Sequence, residues 1–285
     1  MANKQPENKL ERISDITRNT IDLLKIKQAH PELYRPIPTG LDELDKIIVG
    51  IEDATFTVIG GEAKAGKSSF LLHIAGAIAA ANRGKVIFYS LEELKDQIGR
   101  RSLSKLSMVT SRPMMRKLLL TEANFADMEE QQKKLEKLDL WVDDGITQAE
   151  WIINYALETG AKYVFADYLQ LMTDRVGKND GWERYNDISR MFLEARNKHN
   201  LTFIISYQIG KSGTAFGTTS IYRDADLVIE VGGKGKDKML NKEVPGLLSI
   251  RVLPSRICLG GSYNVYFNGD YNRFSNEPYT TDLFM

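Results

Sequence analysis

Eight consecutive residues, Gly61-Glu62-Ala63-Lys64-Ala65-Gly66-Lys67-Ser68, fit the pattern G-x-x-x-x-G-K-[ST]. Glycines in such a loop let successive backbone N–H groups wrap a phosphate chain. The N-terminus of the helix that follows opposes its negative charge, and the lysine reaches the β and γ oxygens. Lys67 is that lysine, Ser68 is the expected magnesium ligand, and Ser69 completes the phosphate-binding run. An incidental glycine turn would not need a strand before it and a helix after it. Here the apolar run Phe56 to Ile59 precedes the loop and a helical pattern from Ser69 to Ala81 follows it.

The loop by itself specifies only a nucleoside triphosphate, so the acids decide the chemistry. Tyr163-Val164-Phe165-Ala166-Asp167 is an apolar strand ending in a carboxylate, the arrangement that holds a magnesium ion and its water. A strand-end Asp is otherwise an ordinary loop cap. Glu92 and Glu93 close the strand Lys85 to Tyr89, where a carboxylate can orient an attacking water. Spacing does not say which of the two faces the γ-phosphate.

These residues need a scaffold, and the chain supplies strands alternating with helices. After Val86 to Tyr89 comes a helix over Asp96 to Leu106. Strands follow at Leu140 to Val142, Tyr163 to Ala166, Phe203 to Ser206 and Leu227 to Val231, with helices near 148 to 158 and 183 to 198. Such βαβ units predict an α/β fold with a mostly parallel, helix-covered sheet. From Gly246 the strands become close-set, Leu247 to Leu253 and Ser262 to Phe267 around Gly260-Gly261, which predicts an appended antiparallel hairpin. Gly232-Gly233-Lys234-Gly235-Lys236 reads either as a grip on phosphate or, by a small margin, as a loose connection, and residues 112 to 138 read as solvated helix faces rather than a DNA patch. Upstream, Thr39 with Asp42 and Glu43 predicts an N-cap for a short helix through Leu44 to Ile48. Ile13, Ile16, Thr20, Leu23 and Leu24 mark an amphipathic helix ending near His30, and Arg35-Pro36 and Ile37-Pro38 a linker.

Composition narrows the class further. With 285 residues, 42% hydrophobic and 27% charged, the chain is neither fibrous nor generally disordered. Lys plus Arg total 38 and Asp plus Glu 38, so the formal charge is zero and any nucleic-acid site must be local. A single cysteine, Cys258, excludes an internal disulfide and a cysteine-rich zinc cluster, and fits a reducing cytosol. No apolar stretch approaches the length of a membrane span, and the polar N-terminus lacks the core of a signal peptide. The expected location is cytoplasmic, in a bacterial cytosol or a phage-infected cell.

Pro38-Thr39-Gly40-Leu41-Asp42, the phosphate loop, Phe88-Tyr89-Ser90-Leu91-Glu92 and Asp167-Tyr168-Leu169-Gln170-Leu171-Met172 together resemble the RecA-like motor domain of DnaB-type replicative helicases. Asp224-Ala225-Asp226 and the stretch from Phe267-Asn268-Gly269 to Arg273-Phe274 are similar to the same family's C-terminal part. The resemblance covers about 36 to 275, leaving an N-terminal extension over 1–35 and a tail over 276–285. It implies a RecA-like P-loop NTPase using ATP and Mg2+. It also implies a homo-oligomer, a hexameric ring with ATP sites between subunits, and single-stranded DNA in the channel. By this carry-over Glu92 is the catalytic base, Gln208 the γ-phosphate sensor and Arg256 the finger that enters the next subunit's site. The helix 13 to 28 resembles the linker helix that docks on a neighbouring protomer.

Two loops are expected to face the DNA: 173 to 185, with Arg175, Lys178 and Arg184, and 209 to 220, with Lys211. A helicase loader or primase is the partner the family implies, although the family's large N-terminal domain, which engages primase, is expected to be missing. Pro254 stands where the family has a lysine two residues before the finger. The leading expectation is an ATP-driven DNA helicase of replication. Its rivals are a non-unwinding RecA-like ATPase that assembles on DNA and recruits replication or recombination partners, and a strand-exchange recombinase.

Overall fold

Strand β1 (Phe56–Gly61) is buried along its whole length, as its apolar sequence requires. In the computed structural model, which describes residues 10–110, 120–173, 182–210, 218–236 and 243–277, it lies inside one nine-stranded sheet. The other strands are β2 (Lys85–Ser90), β3 (Leu140–Asp143), β4 (Ala161–Asp167), β5 (Thr202–Gln208), β6 (Leu227–Lys236), β7 (Glu243–Val252), β8 (Gly261–Asn268) and β9 (Arg273–Ser275). Their order is β3-β2-β4-β5-β1-β6-β7-β8-β9. The first six in chain order pair in parallel, and β6 to β9 pair antiparallel.

The division into two layers follows from the period of two along each strand. Ile59, Phe88, Phe165 and Ile204 point to the face covered by α3 (Asp42–Ile48) and α4 (Lys67–Ala80). Val58, Ile87, Val164, Phe203 and Ile205 point to the other, covered by α7 (Ala149–Glu158), α8 (Trp182–His199) and α9 (Thr218–Asp224). Helices α5 (Lys95–Ser107) and α6 (Glu122–Leu135) lie between β2 and β3 in the chain. The chain divides into two compact units, 1–35 and 36–285. In the first, α1 (Ile13–Ala29) and α2 (Pro31–Tyr34) expose all their apolar residues, Ile13, Leu24 and Leu33 among them.

Two expectations need correction. Thr39 is not the cap of α3, which begins only at Asp42 after Leu41. Instead the Thr39 N–H donates to the Asp45 carboxylate at 2.9 Å and its hydroxyl accepts the Leu41 N–H at 3.2 Å, which turns the chain into the helix. The stretch Gly232 to Lys236 is no loose connection: it prolongs β6, because β7 offers it an antiparallel partner, with Lys234 opposite Leu248 and Lys236 opposite Glu243. Positive φ at Gly232 and Gly233 absorbs the register shifts there.

Asp226, in the segment entering β6, ties three elements together. Its carboxylate accepts the Phe56 N–H at 2.8 Å and pairs with Arg196 of α8. Asp224 accepts from the Ser189 hydroxyl at 2.9 Å. Both acids of the Asp224-Ala225-Asp226 motif therefore serve as internal fastenings.

Candidate nucleotide site

Parallel pairing brings the carboxyl ends of four strands level, with Gly61 opposite Gln208 and Ser90 opposite Asp167. Ligands of open α/β sheets bind at such an edge. A cleft of about 660 Å³ opens there. Its floor is the phosphate loop, which crosses from β1 to α4 through Gly66 at φ +90°, a backbone state that favours glycine. Gly61 is required for space: a Cβ there would lie 2.3 Å from the Val231 carbonyl oxygen of β6.

Lys67 is buried, and its ammonium donates to the Glu62 carbonyl at 2.7 Å. Burial lowers its pKa below the usual lysine value, while the carboxylates of Asp167 and Glu92 act against that shift. One cation thus faces two anions across the cleft. The Ser68 hydroxyl and Asp167 also line it, a hard oxygen pair of the kind that suits Mg2+. Asp167 ends β4, is 4% exposed, and accepts a hydrogen bond from the buried Ser206 hydroxyl of β5. The phenol of Tyr168 next to it titrates higher than usual through burial and the nearby charges of Glu92 and Asp167.

Glu92 and Glu93, indistinguishable by spacing, differ in what they touch. Glu93 makes a two-pronged ion pair with Arg101 of α5, at 2.5 and 2.8 Å. Glu92 is the one whose charge reaches Lys67. Gln208 ends β5 on the rim of the cleft, and the Gln170 side chain fixes it from both sides. Gln170 Nε2 donates to the Gln208 carbonyl at 2.8 Å and its Oε1 accepts the Gln208 N–H at 3.2 Å.

The cleft therefore gathers Gly66, Lys67, Ser68, Glu92, Asp167 and Gln208, with Ala63, Lys64 and Ser69 beside them. Glu62 and Ala65 belong to the same loop. Its remaining wall adds Arg100 and Arg101 of α5, which no sequence motif included, and Phe267 of β8 with Gly269 and Asn272 of the turn after it, from the stretch that resembles the family's C-terminal part. Arg101 Nη1 donates to Ser69 Oγ at 2.8 Å and to Asn272 Oδ1 at 2.9 Å, across 32 and 171 residues of chain. No local pattern in the sequence pointed to Arg101.

Arg256 does not line this cleft. It is exposed on the β7–β8 turn, where the Ser255 N–H donates to the Cys258 carbonyl at 2.9 Å and Gly260 takes φ +77°. Arg184, on the first turn of α8, is half-buried and stands over the Tyr185 ring, donating to the Gln170 carbonyl at 3.4 Å. Arg175, Lys178 and Lys211 lie outside the described residues. Among the described residues no helix is long and apolar enough to cross a membrane.

In sequence, the profile of the DnaB-like helicase C terminal domain matches residues 36–215. The replicative DNA helicase DnaB of Pasteurella multocida is 24% identical over 302 aligned residues, covering 99% of this chain and 64% of that protein. The chain thus spans under two thirds of the length of that relative. Among solved structures, the ATPase domain of G40P superposes with a TM-score of 0.79 at 18% identity, covering 92% of this chain and 99% of that one. A DnaB-like replicative helicase, described with its interactions with primase, superposes at 0.75 and 17%, covering 95% and 68%. These superpositions confirm a RecA-like α/β fold with a mostly parallel sheet and an antiparallel C-terminal edge. Since the matched profile takes in the phosphate loop, both glutamates, Asp167 and Gln208 in their order along more than half of the sequence, the chain belongs to the DnaB-like helicase C-terminal domain family.

Proposed function

We propose that residues 36–275 are an ATP-hydrolysing motor that assembles as a ring, a hexamer by family analogy, and translocates on single-stranded DNA as a replicative helicase. The observation that carries this is the convergence of Lys67, Ser68, Glu92, Asp167 and Gln208 on one cleft at the carboxyl ends of the parallel strands.

In this assignment the loop amides from Gly61 to Ser69 and the Lys67 ammonium hold the phosphates, and Glu92 orients the attacking water and takes its proton. Gln208 senses the γ-phosphate. Ser68 and Asp167 hold Mg2+, which when bound spreads the charge of the β and γ oxygens. Arg256, exposed on the β7–β8 turn and not lining its own cleft, completes the site of an adjoining copy. Arg175, Lys178, Arg184 and Lys211 are the proposed DNA contacts. The segment 1–35 is the linker-like extension and 276–285 the tail. A helicase loader or primase is the partner class, primase being the one named for a solved relative.

Hydrolysis by the full chain with and without single-stranded DNA tests this directly. DNA-stimulated turnover is expected, abolished by Lys67→Ala and lowered at least about tenfold by Arg256→Ala. Mixing these two variants should restore part of the rate, since each supplies what the other lacks at a shared site. Full turnover by Arg256→Ala, or by a strictly monomeric protein, overturns the assignment. Pro254 beside Arg256, in place of a second cation, favours the alternative of a non-unwinding ATPase that assembles on DNA. Strand displacement on a forked duplex by the purified chain eliminates that alternative.

A further inference from the structure

Glu93 adjoins Glu92 in the chain, and its surroundings describe a brace. Arg101 grips both carboxylate oxygens of Glu93, Nη2 to Oε1 at 2.5 Å and Nε to Oε2 at 2.8 Å. The two side chains are only 20% and 27% exposed. Nη1 of the same guanidinium holds Ser69 and Asn272, and the Ser69 hydroxyl itself donates to Asn272 at 3.2 Å. Arg101 is thereby fixed to the first turn of the phosphate-binding helix. The backbone carrying the glutamates is pinned as well: the Ser90 hydroxyl donates to the Glu93 carbonyl at 2.5 Å, and the Leu91 N–H to the Asp167 carbonyl at 2.8 Å.

We propose that Glu93 and Arg101 form a positioning pair that aims the Glu92 carboxylate at the γ-phosphate end of the cleft. The pair rests on the hydrolysis reading above, with Glu92 as the group that orients water. The anchor reaches Glu93 from the side of α5 and leaves Glu92, the adjacent residue, to the side of Lys67. Releasing the Glu93 side chain leaves the turn between β2 and α5 held by its backbone bonds alone, so Glu92 samples more orientations. A displacement of about 1 Å in a reacting group costs up to about 100-fold in rate. Binding of the phosphates depends on the loop amides and Lys67; Glu93 bonds to neither, and only Arg101 reaches the loop, through the Ser69 hydroxyl, so turnover and affinity separate when Glu93 alone is changed.

The test compares Glu93→Gln, Glu92→Gln and the double variant Glu93→Met/Arg101→Met in the full chain. The double variant removes both partners at once and strands no charge. Steady-state ATP hydrolysis gives kcat and KM, and a fluorescent ATP analogue gives affinity. Glu93→Gln and the double variant are expected to lower kcat about tenfold; in Glu93→Gln, which leaves the Arg101–Ser69 bond in place, KM and analogue affinity stay within about twofold of the parent. Added to Glu92→Gln, the Glu93→Gln change should lower the residual rate no further. A Glu93→Gln kcat within twofold of the parent, or a loss confined to KM, overturns the positioning pair. If Glu93→Gln does not fold, the double variant decides by its kcat, a value within twofold of the parent overturning the pair. Unimpaired turnover in Glu92→Gln would instead overturn the reading on which the pair rests.

Discussion

Asp226→Asn isolates the charge that fastens α8 to the strands. The amide keeps the shape of the carboxylate and an oxygen for the Phe56 N–H, now 2.8 Å from Asp226, but gives up the ion pair with Arg196. Removing one partner of a fully buried pair costs about 3–5 kcal/mol. Here the side chains are 16% and 11% exposed, and Arg196 keeps hydrogen bonds to Asn197 at 2.7 and 3.1 Å. The expected loss is therefore about 2–3 kcal/mol. The unit from 36 to 285 has 250 residues. At ~2.1 cal/mol/K per residue its unfolding entropy is about 0.5 kcal/mol/K, so the loss lowers Tm by about 4–6 °C. Circular dichroism melts of Asp226→Asn, Arg196→Met and the double variant supply both the shift and the coupling between the two sites. The coupling should be at least about 1 kcal/mol. A shift below about 1 °C for Asp226→Asn, or strictly additive single losses, would refute the role assigned to this pair.

His73, on α4, is buried with Nε2 bonded to the Thr39 carbonyl at 2.9 Å, and burial together with the Lys105 charge pushes its pKa down to about 3. The unfolded chain takes up this proton near pH 6.5, so the contribution is intact above that pH and falls as pH drops towards 3. The slope is about 1.4 kcal/mol per pH unit, and His73→Gln should lose about 2 kcal/mol less stability than the parent between pH 7.5 and 5; equal losses in urea unfolding would contradict this. Gly61→Ala forces a methyl group to within 2.3 Å of the Val231 oxygen and 3.1 Å of Lys67 Cγ. Destabilisation of about 1–3 kcal/mol is expected from such overpacking, with weakened binding of an ATP analogue; an affinity equal to that of the parent would show that the loop has room to shift.

The parallel core was legible because strands buried on both faces leave continuous apolar runs such as Phe56 to Ile59 and Tyr163 to Ala166. The phosphate loop was legible because its chemistry dictates residue types at fixed spacing. Long-range pairing was not. No local pattern announces that β1 inserts between β5 and β6, nor that Gly232 to Lys236 is drawn into a strand by a partner further along. The same holds in the cleft: Glu92 and Glu93 are equivalent until Arg101 claims one of them, and Asn272 arrives from 203 residues beyond Ser69. Thr39 misled because a hydroxyl near a helix start is a good cap only when the next residues are already helical; here Asp45 reaches back to take its N–H instead.

Both margins of the sheet are brief, with four residues in β3 and three in β9. Unpaired strand borders are where separate chains can zip together wrongly. Such short borders present few open peptide groups, and Asp139, Asp143 and Asp144 bring negative charge to the β3 side. Within the described residues, both borders are thereby poor templates for backbone pairing with another chain.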